Sequence, residues 1–494
     1  MSNCSEHTDY YVDRDRILPE NYGKSGEPPI YHDIIAESKH KYKLQVLQVC
    51  IGLLIFYQSY YMHYGSLNLY NLSVTTPWEV FWPLVLYSVG YVGSILLAGR
   101  WASHHSPQRL LSHGLILNGV LHCVYAIMIH LWPYHPYNYP AVTYLLYKPW
   151  HVLHGVVNSF FLPSAYTILA RNVPARYRAT VGSLVLSMKW FILPFSWLIS
   201  CVLYNTAFMV FAFITVTLGS IYIWITRNKN DSYEFVDQKS PNYRPLVPWS
   251  EMFRSLPVWT LIVTHAVYFA TQFYSPLGQT MTVNFYHLTT YEELRLLQFE
   301  RIVSELPRFF VGIACTMLSG CLSDWLVAKG RLTRDRSRKV FQFLGGAVPM
   351  GGLILLRVLY VSSFHTYYQQ DVFNVVKLGV LVFGGLACVQ SSGFLINHMD
   401  LSPYYAGLLV AISEVANQVV MCLLIWIFGF YSSDALTIIQ MIAVPIFCIF
   451  ASFFFLICAR TDIQNWSPIP LSLFQSRQPT YVGPLQNPFH PSDL

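Results

Sequence analysis

Long apolar runs separated by short polar breaks fill most of this chain. A helix that crosses the roughly 30 Å hydrocarbon core of a bilayer needs about 20 mostly apolar residues. Runs of that length fall at 44–64, 78–99, 110–132, 144–169, 179–203 and 206–226. After a polar stretch at 227–256, six more follow at 257–283, 297–322, 340–360, 375–398, 404–430 and 435–459. The runs are continuous, unlike the short alternating segments of a membrane barrel. The pattern therefore predicts an all-α membrane protein with 12 transmembrane helices in two six-helix bundles. Its expected parts are a cytosolic N-terminal tail at 1–43, a first bundle at 44–226, a cytosolic inter-bundle loop at 227–256, a second bundle at 257–460 and a cytosolic C-terminal tail at 461–494. Two bundles joined by a polar loop suit paired, parallel halves.

Composition agrees with this reading. Of 494 residues, 54% are hydrophobic and 11% charged, against about 25% charged in soluble domains. The net charge of +6 points to nucleic acid only until the charges are located. Between Leu44 and Gly99 the one charged residue is Glu79. Arg100, Arg109, Arg171, Arg176, Arg178, Lys329, Arg331, Arg334, Arg336, Arg338 and Lys339 lie in three short loops on the side of the N-terminus, and Arg295 alone in the opposite loops. That asymmetry places both termini in the cytosol and leaves no nucleic-acid partner. Asn71-Leu72-Ser73, in the first loop of the other side, is the expected glycosylation site, whereas the sequons at Asn3, Asn230 and Asn465 fall on the cytosolic side. Nine of the ten cysteines lie in or beside apolar runs, so they read as small buried residues. No His/Cys spacing resembles a zinc site, and no cofactor is expected. The first apolar run follows a charged tail and is long enough to span, so no cleaved leader is expected. The Pro-rich text at 480–494 reads as a disordered tail.

Several segments carry a resemblance. In order they are Pro248-Trp249-Ser250-Glu251-Met252-Phe253-Arg254-Ser255-Leu256-Pro257-Val258-Trp259, Glu305-Leu306-Pro307, Ser319-Gly320-Cys321-Leu322-Ser323-Asp324-Trp325-Leu326, Arg338-Lys339, Asn397-His398-Met399-Asp400-Leu401-Ser402-Pro403-Tyr404-Tyr405-Ala406-Gly407, and Gln464-Asn465-Trp466. Together they resemble the anion–cation symporters of the major facilitator superfamily, a family that includes sialin, the vesicular glutamate transporters and the sodium-dependent phosphate cotransporters. The first half departs from that family's pattern. Gly155, Pro163, Pro174 and Arg178 fit it, but Ser103 stands at the usual acidic position of the second loop, His151 at an arginine, and Asn158 at the coupling glutamate, while His63 is the nearest candidate for the first-helix arginine. The resemblance implies a major facilitator fold, a small anionic solute and, through Gly320 and Asp324, a latch that closes the cytosolic end. The tail segment Asp13-Arg14-Asp15-Arg16-Ile17-Leu18 is similar to the family's acidic di-leucine sorting signal, so a plasma membrane or a lysosomal or vesicular membrane is expected.

Read physically, Ser402 followed by Pro403 is a helix start, a hydroxyl cap ahead of a residue that needs no N–H, with Asp400 favouring the positive helix end. Asp324 has two options: the following basic loop or a helix N-terminus. Ionisable groups inside a bilayer are costly and mark functional candidates. Lys189 lies ten residues into the fifth run, about 15 Å deep, and Glu414 lies at similar depth in the eleventh. Lys189 needs a negative partner, with Glu414, Glu305 and a substrate carboxylate as options. Glu305 and Arg308 are spaced to pair on one helix face, and Arg301 competes for Glu305. His151 and His265 titrate near neutral pH in water, although a lone helix histidine is more often a packing residue. Tyr268, Phe273, Tyr274 and Gln279 form a stripe on the seventh helix, suited either to lining a cavity or to core packing.

The expected function is secondary active transport of a small organic anion by a monomer embedded in the lipid bilayer, with energy from a proton or sodium gradient, since no GxxxxGK[ST] nucleotide motif occurs. Absence of HExxH and GxSxG argues against an enzyme. The alternative is a non-transporting relative that acts as a ligand sensor or scaffold.

Overall fold

The computed structural model describes residues 43–59, 77–131, 141–226, 246–268, 291–362, 375–430 and 434–468, apart from isolated positions within these ranges. The described helices are α1 (Gln45–Tyr57), α2 (Pro77–His104), α3 (Pro107–Leu131), α4 (Ala141–Asn158), α5 (Phe161–Asn172), α6 (Arg178–Leu186), α7 (Met188–Thr226), α8 (Trp249–Arg254), α9 (Leu256–Tyr268), α10 (Tyr291–Ala328), α11 (Arg334–Ser362), α12 (382–386), α13 (Phe394–Leu401), α14 (Ala406–Phe430) and α15 (Asp434–Cys458). Every apolar run of the sequence contains described helical backbone. Five helices are long and apolar enough to cross a membrane among the described residues, and four more are shorter apolar helices.

Where the helices break, the sequence explains most of the breaks. The fourth run is two helices. Pro163 has no N–H for the Ser159 carbonyl, so the chain turns at Ser159 and Phe160, with Phe160 N–H donating to Val157 O at 3.4 Å and Ser159 Oγ to Val156 O at 2.7 Å. In the fifth run the break is at Ser187, whose hydroxyl donates back to Leu184 O at 2.7 Å, a bond that loosens the helical ladder. The tenth run tightens into a 3₁₀ segment, Ala387–Ser392, before α13. The expected separation of the fifth and sixth runs is not seen: Met188–Thr226 is one helical stretch. The stretch between those two runs holds no Pro or Gly to end a helix.

The packing is inverted relative to a water-soluble domain. Trp224 is 77% and Ile457 75% exposed, with Phe213, Phe447 and Phe450 similarly open, while Asn118, His154, Asn158, Asn397, His398 and Ser413 are fully buried. An apolar exterior around a polar interior suits lipid. Backbones approach closely where side chains are small. A Cβ on Gly155 of α4 would overlap the Tyr87 carbonyl of α2. On Gly99 of α2 it would lie 3.0 Å from Gly407 O of α14, and on Gly320 of α10 it would lie 2.7 Å from Ala179 O of α6. The last two contacts bring the first half of the chain against the second.

Candidate functional site

The contacts between the two halves converge first on Asp400, in the last turn of α13. Its carboxylate accepts from Arg178 at the start of α6 (2.8 Å) and from Arg338 of α11 (2.9 Å), all three side chains being buried. Arg338 also donates to Ser323 Oγ at 3.0 Å and Ser392 O at 3.4 Å, and Arg178 donates to Met399 O at 3.3 Å. A left-handed Gly330 (φ 67°) lets the α10–α11 turn reverse tightly enough to return Arg338 to Ser323. Burial alone would raise the Asp400 carboxyl, but the Arg338 and Arg178 guanidiniums outweigh it and hold the group at about 2. The expectation that Asp400 serves the following helix start is therefore corrected: two cations have claimed its oxygens. The helix start is made by Ser402, whose Oγ accepts from Tyr405 N–H at 3.1 Å with Pro403 in the turn. Asp324 takes the second of its two options. It accepts from Thr180 N–H at 2.7 Å, in the first turn of α6, while the basic loop's Arg338 goes to Asp400. Thr180 Oγ1 donates to Gly320 O at 3.4 Å. Asn397, fully buried, has no hydrogen-bond partner for either amide atom among the described residues.

Roughly 16 Å further along the fifth run, by helix rise, lies the second layer. Ser187 breaks the helix two residues before Lys189, and the Lys189 ammonium donates to Tyr268 OH of α9. It also stands 4.8 Å from the Trp190 ring centroid and 4.7 Å from that of Tyr268, a desolvated cation–π setting. Glu414 of α14 is buried and meets His265 of α9, with Oε1 3.3 Å from Nε2; Asn417 donates to its Oε2 at 2.8 Å. Lys189 lies within electrostatic reach of this carboxylate. Nδ1 of His265 is 2.7 Å from Ser413 Oγ, and Ser413 Oγ is 2.9 Å from His398 Nε2. The sequence flagged Lys189, Glu414 and Tyr268, and the structure brings them together. It named His265 as a group that titrates near neutral pH, with packing as the commoner role, and Ser413 not at all. His265 is Glu414's partner, and the signal for it was the one histidine in the seventh run.

In the first half, Asn158 is buried in a net of uncharged groups. It donates to Ser59 Oγ and Tyr87 OH, both at 3.1 Å, and accepts from Asn118 at 2.7 Å. His154 Nε2 lies 2.7 Å from Ser59 Oγ. His151 is buried against Trp150, ring centroids 5.0 Å apart, and is not placed with the Lys189 cluster. Glu305 and Arg308 lie on the backbone of α10, but their side chains fall outside the described residues, as do those of Arg301 and all of Asn71, Phe273, Tyr274 and Gln279.

Broken helices that carry buried charge, held in a polar interior with an apolar surface, are the pattern of membrane transporters. The chain belongs to the Major Facilitator Superfamily, whose profile matches residues 49–425. It is 25% identical over 289 residues to Probable anion transporter 5 of Arabidopsis thaliana, covering 54% of this chain and 61% of that protein. It is 24% identical over 425 residues to human sialin, covering 78% of this chain and 76% of sialin. Among solved structures it superposes on a bacterial homologue of the iron transporter ferroportin in its outward-facing state, with a TM-score of 0.56 at 13% identity, covering 83% of this chain and 98% of that one; this shows the fold.

Proposed function

We propose that the protein is a secondary active transporter that carries a small organic anion by alternating access, driven by a proton gradient. The observation that carries this reading is the presence, buried in the bundle, of a lysine and a glutamate from opposite halves of the chain, each with its own polar partners: Lys189 with Tyr268, and Glu414 with His265 and Asn417. Such groups are kept in a membrane interior at considerable cost. Lys189 supplies the cation for a carboxylate, and the Glu414–His265 pair supplies a group that gains and loses a proton. Closure of the Asp400 and Asp324 contacts represents the state sealed at the cytosolic end. The names of relatives support an anionic solute.

The test is uptake into liposomes reconstituted with the full chain, screened over carboxylates, sialic acid, phosphate and glutamate under separate proton and sodium gradients. Proton-driven accumulation of one anion is expected, with Glu414→Gln reducing it at least tenfold. Undiminished proton dependence in that variant overturns the coupling role. The polar net at Asn158, the position where the resemblance implies a coupling glutamate, favours one competing reading, a sensor that binds without transport. Ligand-induced thermal stabilisation without flux would decide for it.

A further inference from the structure

Resting on the proton-coupled reading above, we propose that Glu414, His265, Ser413 and His398 form one continuous string that holds a single exchangeable proton, loaded on the Glu414–His265 pair and handed through the Ser413 hydroxyl to His398.

The argument is a count of hydrogens. Nδ1 of His398 lies 3.0 Å from Phe394 O and 3.2 Å from Leu395 O. Carbonyls only accept, so that nitrogen carries its hydrogen, and a neutral His398 presents a bare Nε2 to Ser413. The string has four links: Glu414 to His265 (3.3 Å), His265 to Ser413 (2.7 Å), Ser413 to His398 (2.9 Å) and His398 to the carbonyls. With an ionised carboxylate and two neutral imidazoles, only three hydrogens serve these four links. Ser413 has one hydroxyl hydrogen and faces three acceptors, the third being Val410 O at 3.0 Å. All four groups are buried, where an unmade hydrogen bond is expensive.

One added proton completes every link. It does so either as an imidazolium at His265 against the Glu414 carboxylate, or as a protonated Glu414 donating to Nε2 while Nδ1–H donates to Ser413. Both settings place the extra proton in the Glu414–His265 pair, with Nδ1 of His265 protonated. Hand-over is balanced and needs no co-reactant. The Nδ1–H bond of His265 breaks as its proton forms a new O–H bond on Ser413, while the original O–H bond of Ser413 breaks and that proton forms N–H at His398 Nε2. Where the extra proton starts on Glu414, the Glu414 O–H bond breaks as N–H forms at His265 Nε2 in the same step; from either setting His265 is left neutral with a proton on Nε2 and a bare Nδ1, and His398 becomes an imidazolium. His398 sits on α13, two residues before Asp400, so the receiving end of the string is the latch end. The other titratable groups facing it are Lys189 from α7, Tyr268 from α9, Tyr87 and Tyr91 from α2, and Tyr166 from α5, whose ring lies 5.7 Å from that of His398.

The deciding experiment is nitrogen-15 histidine spectroscopy of the full chain in lipid nanodiscs between about pH 5 and 9, a range that brackets the ordinary imidazole. In the wild type, Nδ1 of His265 is expected to pass from protonated to bare in one step as pH rises, and Glu414→Gln should move that step by at least tenfold in proton concentration. A His265 Nδ1 that keeps one form throughout, or a step unmoved by Glu414→Gln, overturns the proposal. Uptake of radiolabelled sialic acid, glutamate and phosphate gives the functional arm. The ratio of uptake at pH 5.5 to that at 7.5 is expected to fall at least fivefold in both Ser413→Ala and His398→Gln, whereas a merely structural defect scales both pH values alike. An unchanged ratio removes the hand-over. If the wild type carries none of these solutes, the transport reading fails, and the histidine spectra still decide the string.

Discussion

Asp400 is a carboxylate with two guanidiniums and little water, and its behaviour can be worked out from that alone. Replacing one member of a buried ion pair leaves the others uncompensated, at about 3–5 kcal/mol. Asp400→Asn is therefore expected to lower the unfolding midpoint of the detergent-solubilised protein by several degrees, while a surface control such as Asp335→Asn leaves it within error. The acid dependence follows from the sign of the shift. The folded group sits at about 2, below its ordinary 3.8, so its contribution is complete above about pH 4 and is lost as pH falls toward 2. The wild type should show that loss in an unfolding series, and Asp400→Asn should lack it. The same residues show what a sequence conveys. Lys189 and Glu414 stand out because charge is so sparse in apolar text. Their partners do not, because a partner on another helix leaves no local trace: His265 is 149 positions from Glu414 in the chain. Nearness in sequence also misleads. Arg338 is closer in the chain to Asp324, yet the carboxylate it hydrogen-bonds is Asp400.

At the scale of helices, existence was written in apolar length and breaks were written only where chemistry forces them. Pro163 fixes the break in the fourth run. The 3₁₀ segment at Ala387–Ser392 has no such marker; it ends at Gly393, whose φ of −88° and ψ of −106° are not foretold by its neighbours. The seam between α6 and α10 depends on Gly320, because any side chain there meets Ala179 O and Ser183. Gly320→Val is expected to hold these helices apart. A cysteine placed at Ala179 should then react with an impermeant maleimide at least tenfold faster than in the Gly320 background, read peptide by peptide by mass spectrometry. Equal rates would show that the seam tolerates a side chain and that the closed end does not depend on it.

For the molecule as a whole, the all-α membrane fold was legible because lipid imposes it: every spanning segment must satisfy its own backbone. Orientation rests on the distribution of Lys and Arg, and it yields a direct test. With both tails in the cytosol, Asn71 alone among the four sequons meets the glycosylation machinery. A mobility shift on endoglycosidase treatment is expected for the wild type and for Asn230→Gln, and none for Asn71→Gln. A shift that survives Asn71→Gln would invert the topology.

The ties around Asp400 are unequal in one respect. Arg338 and Asp400 belong to the same half of the chain and can stay together when the halves part, whereas Arg178 belongs to the other and must let go. On the alternating-access reading, opening exposes to water the Arg178 guanidinium, which keeps its bond to Ala170 O at 3.4 Å, and dissolved ions shield such a charge within about 8–10 Å. Salinity on the latch side then acts as a dial on the resting posture: brine favours the unclasped form, and dilute solution keeps it shut.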